Sequence, residues 1–347
     1  MYIFKKISFQ SKEYEKFIKN FENIHFTQTP EYCKFLTDAY SYEIVSVACF
    51  NKSDTIVAIL SGVVGLKLIG KDNIKTSPFY EYGGLIASTE IEPNFFISEF
   101  KSFMKGNKIN SWTMNYNNNA PRSILENMFT YKKYKMASMG LKDEQNLFDN
   151  VHRSVRKSIR KSIKSNLTAE RVSSFEEITS FYQMYLEHMK NKFGTPPLSF
   201  KHFLRLESLF TSDFWLVKVS KDLTPIAYLL SISTKNRLHL LHIVDSKKHR
   251  ILQPADFAHW TTFLLAYKQN IRWVDFGYVR YPGQESYKKK WGGIIESVSD
   301  KIIFANDRIY KCNIEINEYV FFRKIWSLLP LKVTAWIGPI IRKTLLK

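Results

Sequence analysis

Trp273-Val274-Asp275-Phe276-Gly277-Tyr278-Val279-Arg280-Tyr281-Pro282-Gly283-Gln284-Glu285-Ser286-Tyr287-Lys288-Lys289-Lys290-Trp291-Gly292-Gly293 is the stretch on which the reading of this chain turns. Ile271 to Phe276 is β-branched and aromatic, the composition of a buried strand. Gly277 is expected to end that strand, and Pro282-Gly283 to mark a turn in the loop beyond. Gln284 to Trp291 then reads as a short helix stopped by Gly292-Gly293. A strand end, a loop and a helix bearing Lys288, Lys289 and Lys290 make a positive rim, suited to a substrate that carries or develops negative charge. Three solvated surface lysines are the other reading of the same run.

Working backwards, Pro254 to Gln269 reads as a helix with Pro254 in its first turn. Phe214 to Ser220, Pro225 to Thr234 and Arg237 to Val244 read as strands, and helices around Phe175 to Lys192 and Phe200 to Leu209 precede them. The first half carries the same plan. Helices near Glu13 to Phe21 and from Thr29-Pro30, with Thr29 as N-cap, precede strands Tyr42 to Phe50 and Thr55 to Leu66. Asn51-Lys52-Ser53-Asp54 is the turn between those strands. A helix around Phe95 to Lys105 and a strand at Ser111 to Tyr116 follow. Helix, helix, hairpin, strand, helix, strand in both halves predicts a duplicated α/β domain; two unrelated α/β units are the simpler alternative. The boundaries expected are 1–140, 141–312 and a tail 313–347.

The chain of 347 residues is long enough for two domains, and its net charge of +19 points to phosphate-rich partners, nucleic acid or an anionic membrane surface. Cys33, Cys49 and Cys312 are few and far apart, which suits a reducing compartment and offers no zinc-site spacing. The N-terminus turns polar too soon for a signal peptide, and no stretch reaches the roughly 18 uninterrupted apolar residues of a spanning helix. Between the halves lies the densest run of basic residues. Val151, Val155, Ile159 and Ile163 recur every fourth residue as an inward stripe, while Arg153, Arg156, Lys157, Arg160, Lys161 and Lys164 cover the rest. The run reads as a phosphate-facing helix for RNA, a nucleotide-linked substrate or lipid headgroups, or as a solvated amphipathic helix.

In its order of features the chain resembles the Fem family of aminoacyl transferases and the related CelD/BcsL-type acyltransferases, which pair two domains of the GNAT acyltransferase fold. The likeness covers roughly residues 20 to 305. It rests on Thr27-Gln28-Thr29-Pro30-Glu31-Tyr32-Cys33-Lys34, on Pro78 to Leu85, on the basic helix, on Phe193-Gly194-Thr195-Pro196-Pro197, and on Asp-Phe-Gly followed by Tyr-Lys-Lys-Lys-Trp-Gly. It implies tandem GNAT-like domains, each a mixed twisted sheet flanked by helices. It also implies transfer of an aminoacyl or acyl group to an amine or hydroxyl of a cell-wall or envelope-polysaccharide precursor. No cofactor is expected to be bound tightly; the donor is aminoacyl-tRNA or acyl-CoA.

The family's aromatic–Lys pair matches Tyr287-Lys288. By the resemblance, Lys288 is the candidate catalyst, its ammonium meeting the oxyanion formed as a carbonyl is attacked, with Tyr287 shaping the pocket. Lys34 matches a lysine that contacts acceptor phosphates. The arginine expected to accompany it falls on Pro196, which makes a lipid-linked intermediate or another glycan more credible than a soluble nucleotide-linked muropeptide. The phosphate turn before the long helix reads Ser246-Lys247-Lys248-His249-Arg250-Ile251-Leu252-Gln253-Pro254 without a glycine, so acetyl-CoA use is weakened, not excluded. His239 and His242 are expected on opposite faces of their strand. His242 is the candidate to accept the amine proton or a satisfied core histidine. Asp275 is expected to orient Lys288 or Arg280, or to cap a turn. Arg153, Arg156, Lys157 and Arg160 are the candidates for phosphate or tRNA.

Tyr319 to Lys347 is apolar, broken by Pro330 and Pro339 and punctuated by basic residues. That is the composition of a segment lying on an anionic membrane, or of a tail packed on the protein's own core. The expectation is a cytoplasmic protein peripheral on the inner face of the cell membrane. CoA-dependent N-acylation in an exopolysaccharide pathway and RNA binding on a non-catalytic GNAT scaffold are the alternatives.

Overall fold

The computed structural model describes residues 2–65, 72–116, 119–306 and 325–345. The described residues form two compact units, and each is described by itself: those up to 134 with 297–306, and 135–296 with 325–345.

In the first unit, β1 (Ile3–Lys6) precedes α1 (Lys12–Lys19) and α2 (Pro30–Tyr40). The α2 start is as the sequence predicts, with the Thr29 hydroxyl accepting from the Tyr32 N–H and Pro30 in the first turn. β2 (Ile44–Phe50) and β3 (Ile56–Val64) form the expected hairpin. Its turn is fixed by Asn51 Oδ1, which accepts from the Ser53 and Thr55 N–H groups at 3.0 Å each. β4 (Asp72–Lys75), β5 (Ile86–Ala87), α3 (Pro93–Gly106) and β6 (Ile109–Met114) complete the unit's first pass. β3 pairs antiparallel with β4, and β4 parallel with β6. Phe96, Phe100 and Met104 of α3 pack with Trp112, Leu60 and Val47 to form the core.

After α4 (Arg122–Glu126) and β7 (Phe129–Gly140), the second unit repeats the plan. Next come α5 (Glu144–Asn150), α6 (Arg153–Lys164), β8 (Thr168–Val172), α7 (Phe175–His188), α8 (Phe200–Phe210), β9 (Phe214–Lys221), β10 (Thr224–Thr234) and β11 (Arg237–Asp245). α9 (Pro254–Lys268), β12 (Trp273–Val279), α10 (Pro282–Lys290) and β13 (Ile294–Phe304) follow, and α11 (Leu331–Leu345) is the last element. β9, β10 and β11 are antiparallel neighbours, and β11 pairs parallel with β12. This matches β2, β3, β4 and β6 strand for strand, so the duplication is real.

The two copies exchange their last strands. β7 follows the first unit's β6 in the chain, yet residues 135–140 pair with β12 of the second unit. β13 follows β12, yet Lys301–Phe304 pairs with β6 of the first unit. Asp300 of β13 accepts from the Tyr134 hydroxyl at 2.7 Å and the Tyr116 N–H at 3.1 Å, which holds the strand in the first unit. The contiguous boundaries 1–140 and 141–312 are corrected accordingly.

The quoted stretch departs from expectation at Gly277. The strand does not end there: it continues to Val279 through a register shift between Asp275 and Gly277, and Gly277 adopts φ +71°. A bulge absorbs the extra residue, and glycine accepts the left-handed backbone without Cβ strain. Pro282 and Gly283 open the next helix instead of forming a separate turn. On α6, Val155, Ile159 and Ser162 are buried and Ile163 is 56% exposed. A four-residue spacing drifts around a helix of 3.6 residues per turn, so the position three after Ile159 faces inward.

Candidate active site

The site lies in the second unit, where β11 and β12 part. They pair over only Arg237–Trp273, Leu238–Val274 and His239–Asp275. Beyond that point β11 stays with β10 as far as Asp245, and β12 stays with β7 as far as Val279. A wedge therefore opens between two parallel strands, leaving one edge of each backbone unpaired by the other. Such an opening at the carboxyl ends of parallel strands is where α/β folds place ligands.

At the point of parting, the Asp275 carboxylate accepts from Arg237 Nη1 at 2.7 Å and pairs with His239 Nδ1 at 2.8 Å. All three groups are buried. The register makes His239 the cross-strand neighbour of Asp275. Asp275 is thus an anchor for β11, where the sequence suggested a partner for Lys288 or Arg280. A second bulge lies just beyond, as β10 faces His242 with Leu230 and Leu240 with Ser231, so Leu241 is the extra residue. Leu230 and Ile232 share a face and lie opposite His242 and His239 respectively, so the two histidines share that face too. This corrects the expectation of opposite faces; simple alternation fails where a residue is inserted.

Lys288 is buried, 7% exposed. Its ammonium donates to the carbonyls of Phe276 at 2.6 Å, Gly277 at 2.8 Å and Tyr278 at 2.9 Å. Three successive carbonyls converge on one nitrogen because the left-handed Gly277 turns the backbone between them. All three N–H donors of an ammonium are then committed. In this arrangement the ammonium braces the β12 bulge at the edge of the wedge.

Tyr287 points to the other side of α10. Its hydroxyl donates to Asp256 Oδ1 at 2.8 Å and lies 3.3 Å from His259 Nδ1. That nitrogen is 2.8 Å from the Ala255 carbonyl, which fixes it as the protonated one. Burial, then the Asp256 charge, pushes the Tyr287 hydroxyl well above its ordinary value, so it remains a donor. Arg280 is exposed, with its guanidinium 5.4 Å from the Tyr278 ring centre.

His242 packs edge-on against Tyr185 and Phe203, with ring centres at 5.1 and 5.6 Å, and its Nε2 is sealed from solvent without a hydrogen-bond partner. Burial, then the Arg342 and Arg280 charges, lower its pKa to about 3. It is neutral at pH 7, as a proton acceptor must be, but a weak base. His188, at the end of α7, is held down to about 4 chiefly by burial. It lies 3.6 Å from Asp245, which also takes Arg250 at 2.6 and 3.2 Å. The segment that follows, Met189–Phe193, is a π-helical turn, a distortion often found beside functional sites.

The turn before α9 is a single 3₁₀ segment, Lys247–Leu252, closed by Gln253 in the left-handed region at φ +62°. The Ser162 hydroxyl of α6 donates to the carbonyls of Leu252 at 3.0 Å and Gln253 at 3.2 Å, pinning the basic helix to this turn. Arg156 caps the end of α5 through the Asp149 and Val151 carbonyls, and Arg160 stacks over Phe148. Arg153 and Lys157 stand on the exposed face. Of the four predicted phosphate-binding residues, two are thus engaged within the chain. Lys34, in the first unit, pairs with Asp38 at 3.1 Å on the exposed face of α2.

The sequence did not single out Arg237, Asp256, His259, His188 or Arg342. Arg237 and Asp275 become neighbours only through the parallel pairing of β11 with β12, which no local pattern announces.

Residues 151–289 match the acetyltransferase (GNAT) domain family. In fold the chain is similar to the crystal structure of FemX, with a TM-score of 0.69 and 13% identity over 86% of this chain and 95% of that one. A tandem GNAT protein from the clavulanic acid biosynthesis pathway gives 0.54 at 8% identity, over 89% of this chain and 100% of that one. The structure of L-PGS from Bacillus licheniformis gives 0.53 at 10%, over 95% and 97%. No curated protein sequence matches the chain. A duplicated GNAT-type α/β fold carrying an acetyltransferase domain defines an acyltransferase class. Within that class the fold of the chain is similar to that of FemX, and residues 151–289 carry the GNAT-family match.

Proposed function

We propose that the chain transfers an aminoacyl or acyl group to an amine or hydroxyl of a cell-wall or envelope-polysaccharide precursor, using aminoacyl-tRNA or acyl-CoA as donor. The observation that carries this reading is the wedge between β11 and β12, with its two bulges and the Lys288 anchor. Attack on an ester or thioester generates a tetrahedral oxyanion, and N–H groups on the β11 edge beyond His239, no longer paired by β12, are the preorganised donors for it. Lys288 keeps the opposite edge in place, and Tyr287 holds α10 against α9.

The donor is read from the turn before α9. Without glycine, and with Gln253 in the left-handed position, it offers side-chain cations instead of an open backbone cradle. Together with Arg153 and Lys157 on the neighbouring α6, this favours a donor with an extended phosphate backbone, such as tRNA. The likeness to FemX and to L-PGS supports an acceptor of the cell envelope.

Membrane docking belongs to the same reading. No helix among the described residues is long and apolar enough to cross a membrane. Trp336 is 74% exposed and Leu328 83%, and Ile340 and Val333 are exposed beside Lys332, which is the make-up of an interfacial segment. Trp326 of the same segment is buried, and Phe321, Phe322, Arg323, Lys324, Leu346 and Lys347 lie outside the described residues. Envelope material from cells with and without the protein, compared by mass, tests the function: one aminoacyl or acyl increment is expected to disappear with the protein, and identical spectra count against it.

A further inference from the structure

A second opening lies wholly within the first unit, between the turn of the β2–β3 hairpin and the start of α3. It is a cleft of about 510 Å³ lined by Tyr2, Asn51, Lys52, Ser53, Glu92 and Phe95, a size within the roughly 300–1,000 Å³ of small-ligand sites. None of these residues belongs to the wedge or to the elements around it. Hydrogen bonds fix the walls. Asn51 Oδ1 accepts from the Ser53 and Thr55 N–H groups, so the amide is oriented and its NH2 is left as a donor. The Glu92 carboxylate accepts from the Asn94 N–H at 3.0 Å and the Phe95 N–H at 2.6 Å. The Glu92 N–H in turn donates to the Tyr2 hydroxyl at 3.0 Å. The start of α3 is therefore satisfied by the chain's own carboxylate, and what the cleft offers a ligand is side chains. The Tyr2 and Phe95 rings lie 5.6 Å apart, tilted by 45°, and Phe95 is 38% exposed.

We propose that this cleft binds a neutral glycan segment. The C–H face of a pyranose ring is apolar and slightly positive, and it seats on the negative face of an aromatic ring. Phe95 and Tyr2 supply two such rings. Sugar hydroxyls both donate and accept, and the rim carries both kinds of partner. Asn51 Nδ2 and Lys52 Nζ donate, the Glu92 carboxylate accepts, and the Ser53 and Tyr2 hydroxyls do either. One cation and one carboxylate offset each other, so the cleft favours no charged ligand. That sets it apart from the basic surfaces of a chain whose net charge is +19. The site takes its purpose from the envelope-polysaccharide reading of the acceptor, as a hold on a stretch of glycan other than the unit being acylated. Binding is measurable without turnover, so the two can fail separately.

The test is calorimetric titration of the full chain with chitotriose, cellotriose and maltotriose, and with trigalacturonate as an anionic counterpart. At least one neutral trisaccharide is expected to bind, with an affinity unchanged within about twofold between low and high salt, because no charge is neutralised. Phe95→Ala is expected to weaken binding roughly 5- to 10-fold, and Phe95→Tyr to keep it. Ser53→Ala should cost roughly threefold. The retained binding of Phe95→Tyr shows that the loss in Phe95→Ala comes from the missing ring and not from a folding defect. If no neutral trisaccharide binds at about 10 mM, if only trigalacturonate binds and salt abolishes it, or if Phe95→Ala binds as tightly as the parent, the cleft is not a glycan site. Trisaccharide binding in a chain that transfers nothing would keep the cleft and remove the acyl-transfer reading; transfer without such binding would do the reverse.

Discussion

Lys288 shows how one side chain can be found by sequence while its surroundings stay unread. The Tyr-Lys pair was legible; the three carbonyls that absorb the ammonium were not, because they converge only once Gly277 turns left-handed inside the strand. Lys288→Met is therefore expected to lower unfolding stability by on the order of 3 kcal/mol, as buried carbonyls lose their partner, and to cut transfer about a hundredfold or more. Urea unfolding and turnover measured on the same variant check this. Unchanged stability with lost turnover would return Lys288 to direct catalysis. The buried imidazoles set the pH dependence. His188 and His242 have folded-state values of about 4 and about 3, below the ordinary value near 6.5. The unfolded chain thus takes up protons first as pH falls, and stability is lost from about pH 6.5 downward, by up to roughly 1.4 kcal/mol per pH unit for each imidazole. Thermal unfolding between pH 7.5 and 5 should show the decline, and His188→Gln should flatten it.

At the scale of elements, the helices and hairpins were readable wherever local chemistry decides them. Thr29-Pro30 starts α2, and Asn51 turns the first hairpin, each through hydrogen bonds to residues two to four positions away. β7 and β13 went unread for the opposite reason. Lys132, Lys133 and Lys135 interrupt the apolar pattern of β7, and each strand finds its partner far away in the chain. The two bulges were likewise invisible, since an inserted residue leaves composition unchanged while reversing which face later residues occupy. α6 illustrates a mixed outcome: its charge was legible, but the engagement of Arg156 and Arg160 was not. Reversing Arg153 and Lys157 to Glu is expected to weaken tRNA binding and to reduce the salt dependence by about one in slope per lost phosphate contact. Filter binding over a salt series checks this, and an unchanged slope would remove α6 from the donor site.

For the whole molecule, duplication supplies two copies of a strand-and-helix plan, and only the second carries the residues argued to shape acyl transfer. Its opened β11–β12 wedge and the basic turn before α9 are the features on which the proposed transfer, from a phosphate-bearing donor to an envelope acceptor, rests. The high positive charge, +19 across the chain, fits both partners and would speed their encounter. The most direct measurement incubates the full chain with membranes and either radiolabelled aminoacyl-tRNA or radiolabelled acyl-CoA, and follows label into the envelope fraction. The account predicts transfer from aminoacyl-tRNA, lost in Lys288→Met. No transfer from either donor, with RNA still bound, would contradict it.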